Sequence, residues 1–485
     1  MVENAPAEVT APADHTVVPV RRLRVTELLL VILACTVVTL ALVLVEVGQN
    51  QQLSAQVLLL GPGYLALFVL AHLVVRATAP FADPLLLPLV ALLNGLGLVM
   101  IHRLDLAAAA TAAAAGSPAP SADAVRQLAW TAAGVVLLAL LCWRLRDHRV
   151  LARYAYTLGL AGLALLALPG LLPARLSEIN GAKLWLRLGP FSIQPGEFAK
   201  IFVIVFVAAF LVSKRELFRT AGRTVGPVVL PRLRDLAPLL VAWGLAVGVL
   251  TLERELGASM LIFGVVLVMI YVATSRISWV LIGLLCFAAS SVAAYELFDH
   301  VRTRFEVWLD PTAEYTGSGY QVSQSLFGLG TGGTFGTGLG QGRPDLVPLA
   351  NADFIGSGIG EELGLVGISA VLLVYALLAA RAFRTALRLR DGFGTLLAAG
   401  LGTTIGLQVF IVIGGVTNLI PETGLTTPFL SYGGSSLLAN YLLVGLLLRL
   451  SHHAYVPLAP QRRPLAPLDR AATQVVARPS GPSPR

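Results

Sequence analysis

Residues His300 to Gly367 read HVRTRFEVWLDPTAEYTGSGYQVSQSLFGLGTGGTFGTGLGQGRPDLVPLANADFIGSGIGEELGLVG and form the longest polar interruption in an otherwise apolar chain. Eight glycines lie between Gly328 and Gly342, and charged residues flank them. A stretch this long without apolar spans is usually either functional or disordered. Its retained aromatic and aliphatic residues argue against disorder. The stretch therefore predicts an ordered, functional segment between membrane spans.

The composition of the whole chain places it in the membrane class. Of 485 residues, 56% are hydrophobic and 13% are charged, whereas soluble domains carry roughly 25% charged residues. The three cysteines (Cys35, Cys142 and Cys286) lie in apolar runs, so neither a disulfide framework nor a metal-binding spacing is visible. The net charge of +8 comes from short basic clusters between apolar runs. This pattern gives no indication of a nucleic-acid partner.

Hydropathy predicts an all-α polytopic fold with about twelve spans of ~20 residues each. The run from Leu28 to Val47 is too long for the core of a signal peptide and is read as a retained span. We expect a tail over 1–25, two additional N-terminal spans over 26–80, a core over 81–452 and a disordered tail over 453–485. The predicted spans are centred near residues 37, 66, 94, 136, 163, 205, 245, 265, 286, 373, 405 and 441.

The distribution of arginine and lysine predicts the orientation in the membrane. With a cytoplasmic N-terminus, the basic clusters fall in inside connections, and the loops near 50, 105–126 and 416–430 are almost free of them. This agrees with the positive-inside rule. Both tails are then cytoplasmic, and the large loop 298–360 between spans nine and ten is extracellular.

Two further groups of charged residues border apolar spans. Glu197 and Lys200 are three residues apart after Pro195, so they share a helix face, either as a functional pair or as a structural ion pair. Glu253, Arg254 and Glu255 separate the seventh and eighth predicted spans. They either form a tight outer turn, which would bring Glu255 near the large loop, or face the interior of the helix bundle.

Asp353 is the main candidate for chemistry in the large loop. It lies where the loop meets the tenth span, so it is either a helix N-cap or a catalytic carboxylate. On a helix, Glu361 would lie about 80° round from it and could share its cavity, while Glu362 would point away. The pattern G-x-G-x-x-G at Gly328 follows no predicted strand, so we reject a dinucleotide site. Dense glycines instead predict a close approach of backbone to a ligand or another segment.

Four stretches give the chain a resemblance to a known family. They are Gly181 to Lys200, Glu255 to Ser259, Arg304 to Gly367, and PETGLTTPFLSYGGSS at Pro421 to Ser436. The chain resembles, over roughly 83–451, the SEDS family of cell-wall proteins, the RodA and FtsW group. Within it, the chain is most like the actinobacterial RodA branch, which has a similar N-terminal addition. The chain departs from the family pattern at Gly196, Arg254, Glu255 and Leu184.

This resemblance implies a peptidoglycan glycosyltransferase that polymerises lipid II on the outer face of the membrane. It implies that Asp353 is catalytic and that a class B penicillin-binding protein is the partner. We expect Arg304 and Lys183 to bind the pyrophosphate, alone or with Mg²⁺ or Mn²⁺ as a cofactor. The other candidate substrate-binding residues are Trp185, Glu197, Lys200, Glu255, Gln324, Ser325, Glu361, Ser431 and Tyr432. A lipid II flippase and a non-catalytic scaffold for a transpeptidase are the alternatives, and an elongation or a division role stays open.

Overall fold

The computed structural model describes residues 20–50, 53–179, 182–189, 191–214, 223–225, 228–230, 244, 248 and 255–457. Helices dominate this part of the chain, which confirms the all-α class. The helices are α1 Val20–Asn50, α2 Ala55–Thr78, α3 Leu86–Ala114, α4 Asp123–Arg144, α5 Arg149–Arg153, α6 Ala155–Leu171, α7 Ala174–Ser177, α8 Pro195–Ser213, α9 Leu256–Thr274, α10 Ile277–Leu297, α11 Asp299–Leu309, α12 Tyr320–Gly332, α13 Ile355–Arg388, α14 Gly392–Val416 and α15 Gly434–Tyr455.

Ten of the described helices are long and apolar enough to cross a membrane. They are α1 to α4, α8 to α10 and α13 to α15, and the predicted fifth span corresponds to the shorter helix α6. The predicted seventh span, centred near residue 245, lies largely outside the described residues, as do most of both predicted tails. The chain is therefore a multi-pass membrane protein, and the total of twelve spans stays a prediction.

Short strands, which the sequence analysis did not predict, accompany the helices. Two antiparallel hairpins follow α7 in the predicted outer loop, and a third lies between α8 and α9. The strands are β1 Glu178–Ile179, β2 Ala182–Lys183, β3 Leu186–Leu188, β4 Phe191–Ile193, β5 Arg223–Val225 and β6 Val228–Leu230. Helix α8 then begins at Pro195, whose fixed φ suits the first helical position.

The two N-terminal helices are joined to the rest of the bundle through buried acidic residues. Glu27 of α1 binds Arg24 at 2.5 Å and Nδ1 of His72 on α2 at 2.7 Å. Glu46, near the other end of α1, binds Nε2 of His102 on α3 at 2.9 Å. Ionisable residues within spans are costly unless they are paired. These partners satisfy both glutamates and fix α1 against its neighbours.

The predicted loop 298–360 is an ordered, partly helical segment rather than an irregular loop. It contains α11, α12 and a 3₁₀ turn at Pro344–Leu346, and the next span begins at Ile355 rather than after 360. The indole Nε1 of Trp308 donates to the carbonyl of Asn418 at 3.1 Å, and Nδ2 of Asn418 donates back to the carbonyl of Trp308 at 3.1 Å. These two bonds fix α11 to the segment that follows α14.

A break in helix α13 explains the glycine-rich run. Gly364 has a φ of 69°, which interrupts the helix just after Glu361 and Glu362. The run supplies the missing partners: Leu365 and Val366 donate to the carbonyls of residues 333 and 334, and the carbonyls of Glu361 and Glu362 accept from residues 337 and 338. A Cβ at Gly336 would lie 2.2 Å from the carbonyl oxygen of Glu362. The prediction that the glycines allow close approach to another segment is confirmed.

Candidate active site

Asp353 lies in a turn immediately before helix α13. The N-cap of this helix is Phe354, and its end has no side-chain capping bond, so the capping interpretation of Asp353 does not fit. The carboxylate borders a small cavity that is also lined by Phe354, Val412, Gly415, Val416, Glu422, Thr423, Gly424 and Leu425. Burial raises the pKa of Asp353 to about 7, the negative charge of Glu422 adds to this rise, and Arg304 opposes it.

Arg304 and Glu422 form an ion pair beside this carboxylate. Nη1 of Arg304 lies 3.0 Å from Oε2 of Glu422 and donates to the carbonyl oxygen of the same residue at 2.6 Å. Oε1 of Glu422 accepts a bond from the backbone N–H of Gly424. Arg304 comes from α11, whereas Glu422 comes from the segment between α14 and α15. The pair therefore joins the segment between α10 and α13 to the PETG turn that begins at Pro421.

Glu255 is buried immediately before helix α9 and faces the bundle interior, as one of the two sequence interpretations predicted. Glu253 and Arg254 lie outside the described residues. Burial raises the pKa of Glu255 to about 8, and the charge of Glu197 adds to the rise, while Lys200 and Arg304 oppose it. The negative charge of Asp353 also raises the pKa of Glu255, so Glu255 belongs to the same charged cluster.

Glu197 and Lys200 form a buried ion pair that extends this cluster into the membrane. Nζ of Lys200 lies 2.7 Å from Oε2 of Glu197 and donates to Oε1 of Gln408 at 3.0 Å. Nε2 of Gln408, a buried side chain of α14, donates to the carbonyl of Thr426 at 2.9 Å. The two side chains thus satisfy each other's charge. The charge of Glu197 also raises the pKa of Glu255, and the charge of Lys200 lowers it.

Ser431 and Tyr432 hold the turn that carries Asp353. Oγ of Ser431 donates to the carbonyl of Ala352 at 2.6 Å, and the backbone N–H of Tyr432 donates to the carbonyl of Asn351 at 2.7 Å. Nδ2 of Asn351 donates to Oδ2 of Asp123 at 3.1 Å. Ser431 and Tyr432 therefore position the candidate catalytic residue through the backbone of the two residues that precede it.

The structure places Glu361 away from Asp353, which corrects the predicted shared cavity. Residues 351–354 are not helical, so the 100° spacing of a helix does not apply between the two carboxylates. Oε1 of Glu361 instead accepts a bond from the backbone N–H of Arg343 at 2.6 Å. Glu361 thus holds the end of the glycine-rich run and is absent from the lining of the Asp353 cavity.

The remaining predicted residues occupy separate places. Nε2 of Gln324 donates to the hydroxyl of Tyr315 at 2.7 Å on the exposed surface, and Ser325 donates to the carbonyl of Val416 at 3.0 Å inside the protein. Lys183 is the last residue of β2, and Trp185 lies two residues further along the chain. Among the interactions found within the described residues, none joins Lys183 or Trp185 to Asp353.

Sequence reasoning missed Glu422 and the ion pair between Arg103 and Glu362. Glu422 is the single carboxylate in Pro421 to Ser436, which was a signal available in the sequence. Arg103 lies in the span α3, and its Nε is 2.9 Å from Oε1 of Glu362, while its Nη2 donates to the carbonyl of Gly342 at 2.7 Å. An arginine within an apolar span is a signal for such a buried partner.

The fold and this site together define a polytopic membrane protein with a cluster of charged residues where the segment between α10 and α13 meets the helix bundle. A family model described as "Cell cycle protein" and named for FtsW, RodA and SpoVE matches residues 84–456. The chain belongs to the FtsW/RodA/SpoVE family. The family match begins after α2, which lies N-terminal to it.

Several relatives are similar to the whole chain. Peptidoglycan glycosyltransferase RodA of Mycobacterium tuberculosis (strain ATCC 25618 / H37Rv) is 53% identical over 474 residues, covering 98% of each chain. Peptidoglycan glycosyltransferase RodA of Mycobacterium leprae is 50% identical over 460 residues, covering 95% of this chain and 97% of the relative. Stage V sporulation protein E of Bacillus subtilis is 38% identical over 298 residues, covering 60% of this chain and 76% of that relative.

Two solved structures share the fold. One, from work on "Structural coordination of polymerization and crosslinking by a peptidoglycan synthase complex", matches with a TM-score of 0.58 and 29% identity, covering 78% of this chain and 99% of that chain. The other is Rod shape determining protein RodA of Thermus thermophilus, with a TM-score of 0.51 and 27% identity, covering 78% of this chain and 98% of that one.

Proposed function

We propose that this chain is a peptidoglycan glycosyltransferase that polymerises lipid II, with Asp353 as the catalytic base. The observation that carries the proposal is the environment of Asp353, a carboxyl group with a pKa near 7 at the edge of a cavity shared with Glu422. A base is most effective when its pKa lies near the working pH. The similarity to mycobacterial peptidoglycan glycosyltransferases over nearly the whole chain supports the same activity.

In this mechanism, Asp353 accepts the proton of the acceptor sugar hydroxyl while that oxygen attacks the anomeric carbon of the donor. The bond between the anomeric carbon and the pyrophosphate oxygen breaks, and the undecaprenyl pyrophosphate leaves with the electron pair. An α-linked donor and a β-linked product require a single inverting displacement. The pyrophosphate is already a good leaving group, so protonation by a general acid is less necessary than in glycoside hydrolysis.

Arg304 is the cation best placed to offset the charge that develops on the leaving group. A guanidinium has five N–H donors, and Glu422 engages those on Nη1. Its position beside Asp353 and Glu255 brings positive charge to the site. Lys183 lies in the outer hairpin β1–β2, so a role in binding the donor requires that this hairpin approach the bound substrate.

The carboxylate of Glu422, beside Asp353, also fits a divalent cation. Mg²⁺ and Mn²⁺ prefer oxygen ligands, and the two groups are close enough for the charge of Glu422 to raise the pKa of Asp353. When bound, such a cation would supply positive charge for the pyrophosphate. The residues of this chain would hold it through Glu422 and leave Asp353 to accept the proton.

We further propose that the site faces outward, that both termini are cytoplasmic and that a class B penicillin-binding protein is the partner. The distribution of basic residues supports this orientation. The structural similarity to a chain from a peptidoglycan synthase complex supports an assembly that couples polymerisation to crosslinking. The additional helices α1 and α2, which precede the family match, would belong to the part of this complex that lies within the membrane.

The test uses purified full-length protein with lipid II in lipid nanodiscs, with and without a class B penicillin-binding protein. We expect glycan polymers of increasing length, released undecaprenyl pyrophosphate and stimulation by the partner. The matched comparison is the Asp353→Asn variant in the same nanodiscs. Transport of labelled lipid II into sealed vesicles without any glycan polymer would instead identify a flippase and contradict the proposal.

A further inference from the structure

A cluster of aspartate and histidine side chains lies at the end of the bundle remote from Asp353. Asp147, His148 and His453 each offer one ligand atom, and these atoms lie within 4.8 Å of one another. His453 is in the last turn of α15, about 25–30 Å along the helix from its start beside the active site, at 1.5 Å per residue. The cluster is therefore separate from the proposed catalytic residues and faces the predicted cytoplasmic side.

His148 is the fixed member of this cluster. It is 2% exposed, and its Nε2 lies 3.0 Å from Oδ2 of Asp391. Asp391 is held in turn, because its Oδ1 accepts the N–H of Gly394 at 2.7 Å at the start of α14. The other ring nitrogen, Nδ1, is buried without a hydrogen-bond partner among the described residues. A carboxylate on one nitrogen and an available lone pair on the other is the arrangement that orients metal-binding histidines.

His453 and Asp147 complete the group, and each is held by one hydrogen bond while another of its polar atoms keeps a lone pair. Nε2 of His453 lies 2.7 Å from the carbonyl oxygen of Arg146. Because a carbonyl only accepts, this contact places the proton on Nε2 and leaves Nδ1 with a lone pair. Asp147 is half-exposed, and its Oδ1 lies 3.8 Å from Nδ1 of His148. Asp147 also accepts the backbone N–H of Arg149 at 2.9 Å through this oxygen, which leaves Oδ2 available.

We propose that Asp147, His148 and His453 bind a divalent transition-metal ion of the zinc class, with water in the remaining position. Two imidazoles and one carboxylate are ligands that zinc accepts, with bonds of about 2.0–2.2 Å. Tetrahedral bonds of that length place ligand atoms about 3.4 Å apart, so the cluster contracts slightly on binding. Rotation of the half-exposed Asp147 provides that contraction, while His148 and His453 keep their hydrogen bonds to Asp391 and to the carbonyl of Arg146.

The surrounding charges include two arginines and two aspartates. The charge of Arg449 acts on His453, and the charge of Arg149 acts on Asp391. The guanidinium of Arg449 donates to the carbonyl oxygens of Thr78 and Arg146. Asp147 and Asp391 offset the charges of the two arginines, which allows a cation to bind here. His452 lies outside the proposed ligand set, because its Nδ1 accepts the backbone N–H of Phe81 at 3.1 Å.

The bound ion would have a structural role, because it joins two segments that are distant in the sequence and is linked to a third through Asp391. His148 and Asp147 come from the turn after α4, His453 comes from the end of α15, and Asp391 links His148 to the start of α14. Fixing these three ends together determines where the chain leaves the bundle after α15. The ion would thus anchor the cytoplasmic ends of the helices without taking part in glycosyl transfer.

The experiment measures zinc binding by full-length protein carrying an affinity tag without histidine. Protein in nanodiscs is stripped with a chelator and titrated with Zn²⁺ against a chromophoric competitor, and the loaded sample is examined by X-ray absorption. We expect one zinc per chain, with nitrogen and oxygen ligands at about 2.0–2.2 Å. Asp147→Asn and His453→Gln should each weaken binding at least ~10-fold, and Asp391→Asn should weaken it ~10–100-fold.

His452→Gln is the matched control and should bind zinc like the wild type. Polymerisation of lipid II by Asp147→Asn and His453→Gln should stay normal, which would show that these variants are folded. If His148 is instead an imidazolium bridging Asp147 and Asp391, stoichiometric zinc binding will be absent and the proposal fails. Undiminished binding by folded His453→Gln would overturn it equally.

Discussion

Replacing Asp353 with asparagine should separate catalysis from folding. Asparagine has nearly the same volume but cannot accept a proton at neutral pH, and a general base commonly contributes ~10²–10⁴ in rate. The N-terminus of helix α13 has no side-chain capping hydrogen bond that the substitution could remove. We therefore expect the Asp353→Asn variant to insert and fold normally while it polymerises lipid II at least ~100-fold more slowly than the wild type.

The same substitution should raise thermal stability at high pH. The folded-state pKa of Asp353, about 7, lies above the ordinary value of 3.8. Between these values the native state binds more protons than the unfolded state, so wild-type stability falls as pH rises through this window. The difference between 3.8 and about 7 corresponds to at most about 4 kcal/mol of unfolding free energy at pH 8, since a tenfold change in proton affinity is worth ~1.4 kcal/mol. Asparagine removes this cost because it does not ionise.

The assay compares wild type, Asp353→Asn and Asp345→Asn in identical nanodiscs at pH 5 and pH 8. Asp345 is a control from the same outer segment, where it pairs with Arg343 at 3.1 Å. The stability gain of Asp353→Asn, measured as a midpoint of thermal unfolding, should be largest at pH 8 and less than half as large at pH 5. Near-normal glycan synthesis by Asp353→Asn would refute the role of Asp353 as the catalytic base. A stability gain that does not depend on pH would refute the raised pKa of its carboxyl group.

Three other predictions follow from the same structure. Arg304→Gln should lower the rate of polymerisation ~10²–10³-fold. It should also move the midpoint of the pH–rate profile above 7, because the positive charge that lowers the pKa of Asp353 is lost. An unchanged pH–rate profile would show that Arg304 does not act at the site. In a chain without native cysteines, an impermeant maleimide added outside should label Thr334→Cys and miss Arg390→Cys, two exposed positions, and the reverse pattern would contradict the orientation. Arg103→Leu should lower the free energy of unfolding by about 3–5 kcal/mol, because it leaves Glu362 buried without its ion-pair partner. A double variant that also carries Glu362→Leu should unfold at a higher temperature than Arg103→Leu. Equal unfolding midpoints would contradict this pairing.

The sequence by itself determined the membrane class, most of the spans and the segment that carries the site. These features depend on local composition, because the length of an apolar run alone decides whether a helix can cross a bilayer. The glycine-rich run was interpreted correctly for a similar reason, since dense glycine implies a close backbone approach whatever the partner is. Gly336 and the broken helix at Gly364 meet that expectation.

The tertiary structure alone decided which partner each buried charge has. Asp353 and Glu361 lie eight residues apart in the sequence but in different environments, because the chain turns before helix α13 begins. Arg103 and Glu362 are 259 residues apart and form a buried pair. A charge buried among helices must be compensated by whichever opposite charge packing brings within reach. That distance depends on how the helices pack, and the order of residues along the chain does not contain it.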